Sequence, residues 1–302
     1  MKTIVMTGAT SFLGRNTLNS LAQEGHTIYA MVRESSSSLA QLPKNSNIRY
    51  IYGDLGELDK FCKETDRADV FIHFAWDGSG YAGRADDSIQ SRNISYSMDA
   101  LRICEKLGCG SFIFSGSQAE YGRIHGKIAE NTECCPVSAY GKAKLEFSRR
   151  AEEFLKRKGI RFVHLRIFSV YGPGDRASSL VSSCVKAFNS GENILLGSCS
   201  QKWNYLHIDD FVRAIMQIVH CEAMDGIYNV AGADTRPLKD FVEEIYTLSN
   251  RTGRYELGKT KANPEGSPAL EPEIGKIRKF LGWNPEVDFS EGILQIMKEM
   301  KA

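Results

Sequence analysis

Thr3-Ile4-Val5-Met6-Thr7-Gly8-Ala9-Thr10-Ser11-Phe12-Leu13-Gly14 opens the chain as a strand, a turn and the start of a helix. Thr3–Thr7 is β-branched and apolar, the composition of a strand buried on both faces. At Gly8 the chain can turn sharply into a helix. The positive end of that helix and its unpaired N–H groups then face the turn, where an anion is stabilised. Gly14 permits close contact between helix and strand. The spacing is Gly-x5-Gly with Ser11 between, so the third glycine of the familiar dinucleotide pattern is missing. An ordinary tight turn is the alternative, and the position at the first strand–helix junction of an alternating chain weighs against it.

That alternation continues outward. Strand-like runs recur at Thr27–Val32, Ile48–Tyr52, Val70–Phe74, Ser111–Phe114 and Arg161–Ile167. Helical patterns lie between them, among them Arg15–Glu24, ending at Gly25, and about Asp87–Leu107, followed by Gly108. Strand–helix repetition predicts right-handed crossovers and a parallel sheet covered on both faces, an α/β, Rossmann-like doubly wound fold. The second half is less regular. Asp209 or Asp210 can cap a helix burying Phe211, Ala214, Ile215, Ile218 and Val219. Gly226–Val230 reads as a strand, and Pro237 opens a helix with Leu238, Phe241, Val242 and Ile245 on one face. Gly and Pro cluster between about Gly253 and Pro272 as a surface loop, and two short helices follow. The expected division is a dinucleotide-binding domain over 1–165 plus about 203–231. A smaller substrate-binding lobe, over 166–202 plus 232–302, caps the carboxyl edge of the sheet.

The chain has 302 residues, 42% hydrophobic and 25% charged, with a formal charge of +1. These values are ordinary for a globular protein and give no reason to invoke nucleic acid or a membrane surface. No apolar run approaches the ~20 residues of a membrane span, and Met1-Lys2 leads directly into the first strand without a signal-peptide pattern. A cytoplasmic location follows as the expectation, with the 8 cysteines as reduced thiols. Neither Cys134-Cys135 nor Cys104 with Cys109 has zinc-finger spacing, no His-Glu-x-x-His occurs, and no metal is expected.

Val137-Ser138-Ala139-Tyr140-Gly141-Lys142-Ala143-Lys144 reads as a helix opening that puts Tyr140 and Lys144 on one face, one turn apart. A cation near a phenol stabilises phenolate and lowers a pKa that is ordinarily ~10. Such a tyrosine can exchange a proton near neutral pH. The same spacing is common on solvated helices, so the pair gains weight only from its company.

That company resembles the extended short-chain dehydrogenases/reductases of the sugar-nucleotide epimerase/dehydratase group. Thr7–Gly14 matches their first turn except at Ser11, which can add a hydroxyl contact to pyrophosphate. Gly53-Asp54-Leu55 matches the motif whose acid meets the adenine amino group. His73-Phe74-Ala75-Trp76 matches a His-x-Ala-Ala strand end beside the cofactor, with Trp76 unusual there. Asn93 matches an asparagine of the long helix. Phe114-Ser115-Gly116-Ser117-Gln118-Ala119-Glu120-Tyr121-Gly122 matches the strand carrying the catalytic Ser/Thr. Arg166–Gly174 matches a substrate-side segment, and Tyr205–Asp210 and Leu281–Pro285 match further blocks. The resemblance covers nearly the whole chain. It implies Tyr140 as acid/base, Lys144 as the group that lowers its pKa and holds the nicotinamide ribose, and Ser117 as the donor to the reacting oxygen. It also implies cofactor contacts from Gly8, Thr10, Ser11, Phe12, Leu13, Gly14, Asp54, Leu55, Ala75, Asn93 and Lys144.

At the end of the second strand, NAD enzymes of this fold usually carry an acid for the ribose hydroxyls. Here the run is Ala30-Met31-Val32-Arg33-Glu34-Ser35-Ser36, with Val32 in that place. Arg33 can meet a 2′-phosphate through a charge-assisted fork, and Ser35 and Ser36 add hydroxyls. NADP(H) is therefore preferred over NAD(H). The dehydratases of the group carry Asp and Glu directly after the catalytic threonine. Here Gln118 and Ala119 follow Ser117, and Glu120, continued on the strand, would point to the opposite face.

Two enzyme readings remain, an NADP(H)-dependent reductase of a nucleotide-activated 4-keto-6-deoxysugar and a nucleotide-sugar 4-epimerase. Arg33 favours the reductase, because net reduction draws on the reduced NADP pool. A non-catalytic NADP(H)-binding sensor is the third reading, although Tyr140, Lys144 and Ser117 are all retained. Trp76, Gln118, Ser169, Tyr171, Arg176 and Trp203 are the candidate substrate contacts, with plain packing as the alternative for each aromatic. Many relatives pair through the two long helices, and a homodimer is expected.

Overall fold

The computed structural model describes residues 1–80, 82–260 and 269–300. Among these the elements run β1 (Thr3–Thr7), α1 (Phe12–Gln23), β2 (Thr27–Val32), β3 (Ile48–Tyr52), α2 (Phe61–Glu64), β4 (Val70–His73), α3 (Asp87–Lys106), β5 (Ser111–Ser117), β6 (Lys127–Ile128) and α4 (Ala139–Lys158). They continue as β7 (Arg161–Ile167), β8 (Ser169–Tyr171), α5 (Leu180–Asn189), β9 (Asn193–Leu195), β10 (Lys202–His207), α6 (Ile208–His220), β11 (Gly226–Val230) and β12 (Thr235–Pro237). The last are α7 (Leu238–Leu248), β13 (Arg254–Glu256), β14 (Glu271–Pro272), α8 (Gly275–Leu281) and α9 (Phe289–Glu299).

The chain divides into two compact units. The first comprises Met1–Gly122, Glu133–Ile167 and Val212–Tyr228, and the second Arg123–Thr132, Phe168–Phe211 and Asn229–Ala302. The large sheet has seven strands in the order β11-β7-β5-β4-β1-β2-β3. From β7 to β3 every neighbouring pair is parallel. This is the doubly wound fold anticipated from the alternation. The chain reverses its direction of winding between β1 and β4, where sheets of this kind open a crevice at their carboxyl ends. β5 runs three residues beyond the expected Phe114. Ser115, Gly116 and Ser117 are weak strand formers, but they pair in register with Leu165, Arg166 and Ile167 of β7, and pairing overrides propensity.

Phe71, Phe112, Phe114, Phe147 and Phe162 are buried in the core of the first unit. Phe71 stacks on Phe112 at 5.2 Å between centroids, and Phe114 meets Phe147 edge-on at 4.7 Å. Burying each such side chain contributes roughly 1.5–3 kcal/mol. α3 and α4 pack together, and α4 lies on β5 and β7.

In the second unit β8, β10 and β12 form a small sheet, with β8 parallel and β12 antiparallel to the central β10. Its core gathers Phe188, Phe241, Ile245, Phe289 and Ile293. Neither Asp209 nor Asp210 is the expected cap, because α6 begins at Ile208 and both lie inside its first turn. Asp210 is fully buried and works elsewhere. Its carboxylate accepts the N–H groups of Glu286 and Val287, both at 3.0 Å, and its carbonyl accepts Nε1–H of the buried Trp283 at 3.1 Å. The expected loop from Gly253 to Pro272 contains β13, paired with β9, and β14, paired with β6. Strands of two or three residues leave no periodicity to read. Residues 261–268 of that stretch lie outside the described residues.

Candidate active site

The turn after β1 has the geometry its sequence requires. Gly8 holds φ at +77°, and a Cβ there would lie 2.5 Å from the Ala75 nitrogen, at the exit of β4. A Cβ on Gly14 would overlap the Gly8 carbonyl oxygen. Ser11 caps α1. Its Oγ accepts the Gly14 N–H at 3.0 Å, which leaves the hydroxyl proton as the group that can donate to a pyrophosphate oxygen. The amides of Phe12 and Leu13 are those left to meet an anion at the helix terminus. Two backbones in contact at the switch point, and a capped helix aimed across it, fit the pyrophosphate of a dinucleotide.

Thr7 and His73 brace this crevice from below. Thr7 Oγ1 and His73 Nδ1 are 2.8 Å apart, and His73 Nε2 lies 2.9 Å from Ser97 Oγ of α3. His73 is completely buried. Burial, and secondarily the nearby Lys144 ammonium, push its pKa down to about 3. The Asn93 carboxamide, also buried, accepts the Asp77 N–H at 3.0 Å and donates to the Asp77 carbonyl at 2.9 Å, fixing the chain beyond Ala75.

Ser138 starts α4 by accepting the Gly141 N–H at 3.2 Å. Gly141 then sits so close to the turn after β5 that a Cβ would overlap the Ala119 carbonyl oxygen. The end of β5, carrying Ser117, and the first turn of α4, carrying Tyr140, are thus in contact. Ser117 and Tyr140 are each 8% exposed and Lys144 1%. Lys144 Nζ donates to the Ser115 carbonyl at 2.7 Å. It lies 3.8 Å from the Trp76 ring centroid, 4.6 Å from that of Phe114 and 5.7 Å from that of Tyr140. Burial pushes the Lys144 pKa well below its ordinary value, and the carboxylate of Glu120 opposes the shift. Aromatic faces supply part of the stabilisation that water would give the cation.

The remaining cofactor candidates are exposed or half-buried. Arg33 is exposed at the end of β2 and pairs with Asp77 Oδ1 at 3.1 Å. Ser35 is exposed beside it, Thr10 and Leu55 are half-buried, and Asp54 accepts the Gly56 N–H at 2.7 Å. Of the substrate candidates in the first unit, Trp76 is half-buried, packs edge-on to Tyr140 at 6.3 Å and donates to Gln90 Oε1 at 2.8 Å. Gln118 is half-buried. In the second unit Ser169 is half-buried, Arg176 is exposed, and Trp203 keeps a buried Nε1 with no hydrogen-bond partner among the described residues. Tyr171 is 2% exposed in the core, against Phe289, Tyr205 and His207, and its hydroxyl donates to the Phe289 carbonyl at 3.4 Å.

Glu120 is not on a strand. β5 ends at Ser117, and residues 118–120 form a single 3-10 turn that buries the Glu120 carboxylate beneath it. The reason it is withheld from the position of a dehydratase acid is therefore this turn, not strand alternation. Ser-x-x-Glu at 117–120 is a capping-box spacing and is the signal that marks the turn. Arg84, whose guanidinium carbon lies 4.3 Å from the Tyr140 ring centroid, is 56 residues away in sequence and no local pattern announces it.

One potential metal cluster exists among the described residues, Glu24, His26 and His220. The Lys2 N–H donates to His26 Nδ1 at 3.0 Å, which leaves the ring proton on Nε2, facing Glu24 Oε2 at 3.3 Å. That nitrogen has no lone pair to offer a cation. All eight cysteines are free thiols, and no described helix is long and apolar enough to cross a membrane.

Residues 4–231 match the NAD dependent epimerase/dehydratase family, and the chain belongs to that family. It is an enzyme of the extended short-chain dehydrogenase/reductase type, a group of nucleotide-sugar epimerases, dehydratases and reductases that use NAD-type dinucleotides. A Bacillus subtilis (strain 168) protein named as an uncharacterized UDP-glucose epimerase is 26% identical over 206 residues, 67% of this chain and 64% of its own length. CDP-abequose synthase of Salmonella muenchen is 23% identical over 303 residues, covering 98% of this chain and 97% of its own. The UDP-glucuronic acid 4-epimerase of Bacillus cereus, solved with UDP-glucuronic acid and NAD, superposes with a TM-score of 0.87 at 22% identity over 99% of both chains.

Proposed function

We propose that this enzyme is an NADP(H)-dependent oxidoreductase acting at C4 of a nucleotide-activated sugar, and that it reduces a 4-keto-6-deoxysugar nucleotide. The observation that carries the reading is the contact between the Ser117 turn and the first turn of α4, which gathers Ser117, Tyr140 and Lys144 in one unit with the Gly8 turn. Bound along that turn, the dinucleotide supplies hydride to the carbonyl carbon. Tyr140 then gives its phenolic proton to the oxygen as alkoxide character grows, while the Ser117 hydroxyl donates a hydrogen bond to the same oxygen. Lys144, and Arg84 across the ring, favour the phenolate that remains. Solvent returns the proton.

Preference for NADP(H) rests on Arg33 with Ser35, and on Val32 in place of the acid. A 2′-phosphate would take the guanidinium from Asp77. That same ion pair favours a second reading, a 4-epimerase holding NAD, because Asp77 brings a carboxylate to the ribose side of the site. A homodimer through α3 and α4 belongs to either reading.

The test is NADPH oxidation with UDP-, dTDP-, CDP- and GDP-linked 4-keto-6-deoxyhexoses. Stoichiometric oxidation with one of them supports the reductase. Interconversion of sugar epimers without added reductant supports the epimerase. Tight dinucleotide binding with no turnover of either kind points to a sensor.

A further inference from the structure

A buried charge cluster stands behind the candidate active site. Glu120 Oε1 accepts the Ser117 N–H at 2.8 Å and faces His164 Nε2 at 3.0 Å, while Oε2 accepts Nε–H of Arg166 at 3.0 Å. The side chains of Glu120 and His164 are wholly buried and that of Arg166 is 4% exposed. His164 and Arg166 are two apart on β7 and so share a face of the strand. The guanidinium carbon of Arg166 also lies 4.4 Å from the Tyr121 ring centroid. Burial alone pushes the Glu120 pKa up, and His164, Arg166 and the Ser117 N–H outweigh it and hold the carboxyl below its ordinary value.

Such a cluster is poor value as a stabiliser. Removing each ion from water costs several kcal/mol, and a well-packed apolar replacement often does as well or better. What the cluster does provide is a fixed Ser117. The turn is a reciprocal capping box in which Ser117 Oγ accepts the Ala119 N–H at 3.2 Å while Glu120 takes the Ser117 N–H. With a lone pair of Oγ engaged by Ala119, the hydroxyl proton is what Ser117 has to give.

We propose that Glu120 is a positioning residue for Ser117. Clamped by His164 and Arg166, its carboxylate holds the Ser117 backbone so that the hydroxyl proton is aimed at the reacting oxygen. This rests on the reading of Ser117 as the donor to that oxygen.

The experiment is a double-mutant cycle on the full chain, following NADPH oxidation with the 4-keto-6-deoxyhexose nucleotide that it turns over. In Glu120→Gln one amide oxygen cannot serve Ser117, His164 and Arg166 together, and its NH2 confronts a donor. Losing one oxyanion donor costs about 10²–10³-fold and misplacing one by an ångström about 10²-fold. The expected result is a kcat lowered roughly 10- to 100-fold, with KM and the dinucleotide Kd changed less than about twofold. In a Ser117→Ala background the same change should lower kcat by less than about threefold, because the residue it acts through is gone.

If Glu120→Gln does not fold, two charge-free pairs replace it. Glu120→Gln/Arg166→Met keeps an acceptor for the Ser117 N–H, and Glu120→Met/Arg166→Met does not. The first should exceed the second in kcat by about tenfold or more, and only when Ser117 is present. Equal losses in both backgrounds, or kcat values that follow melting temperature instead of the Ser117 acceptor, overturn the proposal. If Ser117→Ala itself leaves kcat unchanged, the assignment of Ser117 fails first, and that outcome is separate from additivity.

Discussion

His73 should make the fold of the first unit sensitive to mild acid, and His73→Gln should remove that sensitivity. Its imidazole lies between Thr7 Oγ1 and Ser97 Oγ, completely buried, with a pKa of about 3 in place of 6.5. Above pH 6.5 the ring is neutral in both folded and unfolded chains and costs nothing. As pH falls through 6.5 the unfolded chain takes up a proton that the folded chain refuses, so stability declines until about pH 3, where both are protonated. Each unit of pKa difference corresponds to about 1.4 kcal/mol, so the full loss is about 5 kcal/mol and the loss already expressed at pH 5 is about 2 kcal/mol.

Urea unfolding at pH 7.5 and pH 5, at constant ionic strength, measures the difference. Gln at 73 keeps a polar group toward Ser97 but does not titrate. The wild-type chain should lose about 2 kcal/mol more than the variant between those two pH values. The variant is expected to be less stable at pH 7.5, having lost the Thr7 bond, so the slope carries the argument and not the absolute stability. Parallel pH dependences in the two proteins would refute the reasoning, and would mean that His73 reaches water or keeps its ordinary pKa.

Three further outcomes follow from the site and the second unit. Tyr140→Phe should lower turnover about 10²- to 10⁴-fold, the usual worth of a general acid, while fluorescence titration gives an unchanged dinucleotide Kd. Arg33→Ala should reduce the ratio of NADP(H) to NAD(H) affinity roughly 10- to 100-fold, the worth of one charged hydrogen bond, and an unchanged ratio would remove Arg33 from cofactor selection. Asp210→Ala should destabilise the second unit by about 3 kcal/mol, because the buried N–H groups of Glu286 and Val287 lose their acceptor. Calorimetry showing no change in melting would place water in the vacated position.

What the sequence discloses here depends on the range of the interaction. β1, β2, β3 and β7 are readable to the residue because apolar, aromatic and β-branched side chains dominate each, with Arg49 in β3 and Arg161, His164 and Arg166 in β7 as the interruptions. The Ser138 and Ser11 caps obey local rules of three residues. The order of the motifs along the chain was enough to reach the family. Strands β13 and β14, by contrast, exist only because β9 and β6 are there to pair with them, and nothing within three residues encodes that. Tyr171 looks like a pocket residue in a motif. In the structure it is surrounded by Phe289, Tyr205 and His207, of which the most distant is 118 residues along the chain.

The Lys144 environment shows why the chemistry was less legible than the fold. A tyrosine and a lysine four apart imply only that a cation is near a phenol. The energy of that cation depends on partners that spacing does not reveal. Here no carboxylate touches the ammonium among the contacts it makes: the Ser115 carbonyl, the faces of Trp76 and Phe114, and the more distant charge of Glu120 share its burial cost. Trp76, the odd residue in its motif, then has a reason to be a ring rather than a methyl group. A small side chain at 76 would take away the nearest of the two faces that cover the ammonium, and the burial that depresses its pKa would go uncompensated there. The departure from the family pattern and the unusual lysine environment are thus one feature seen from two positions in the chain.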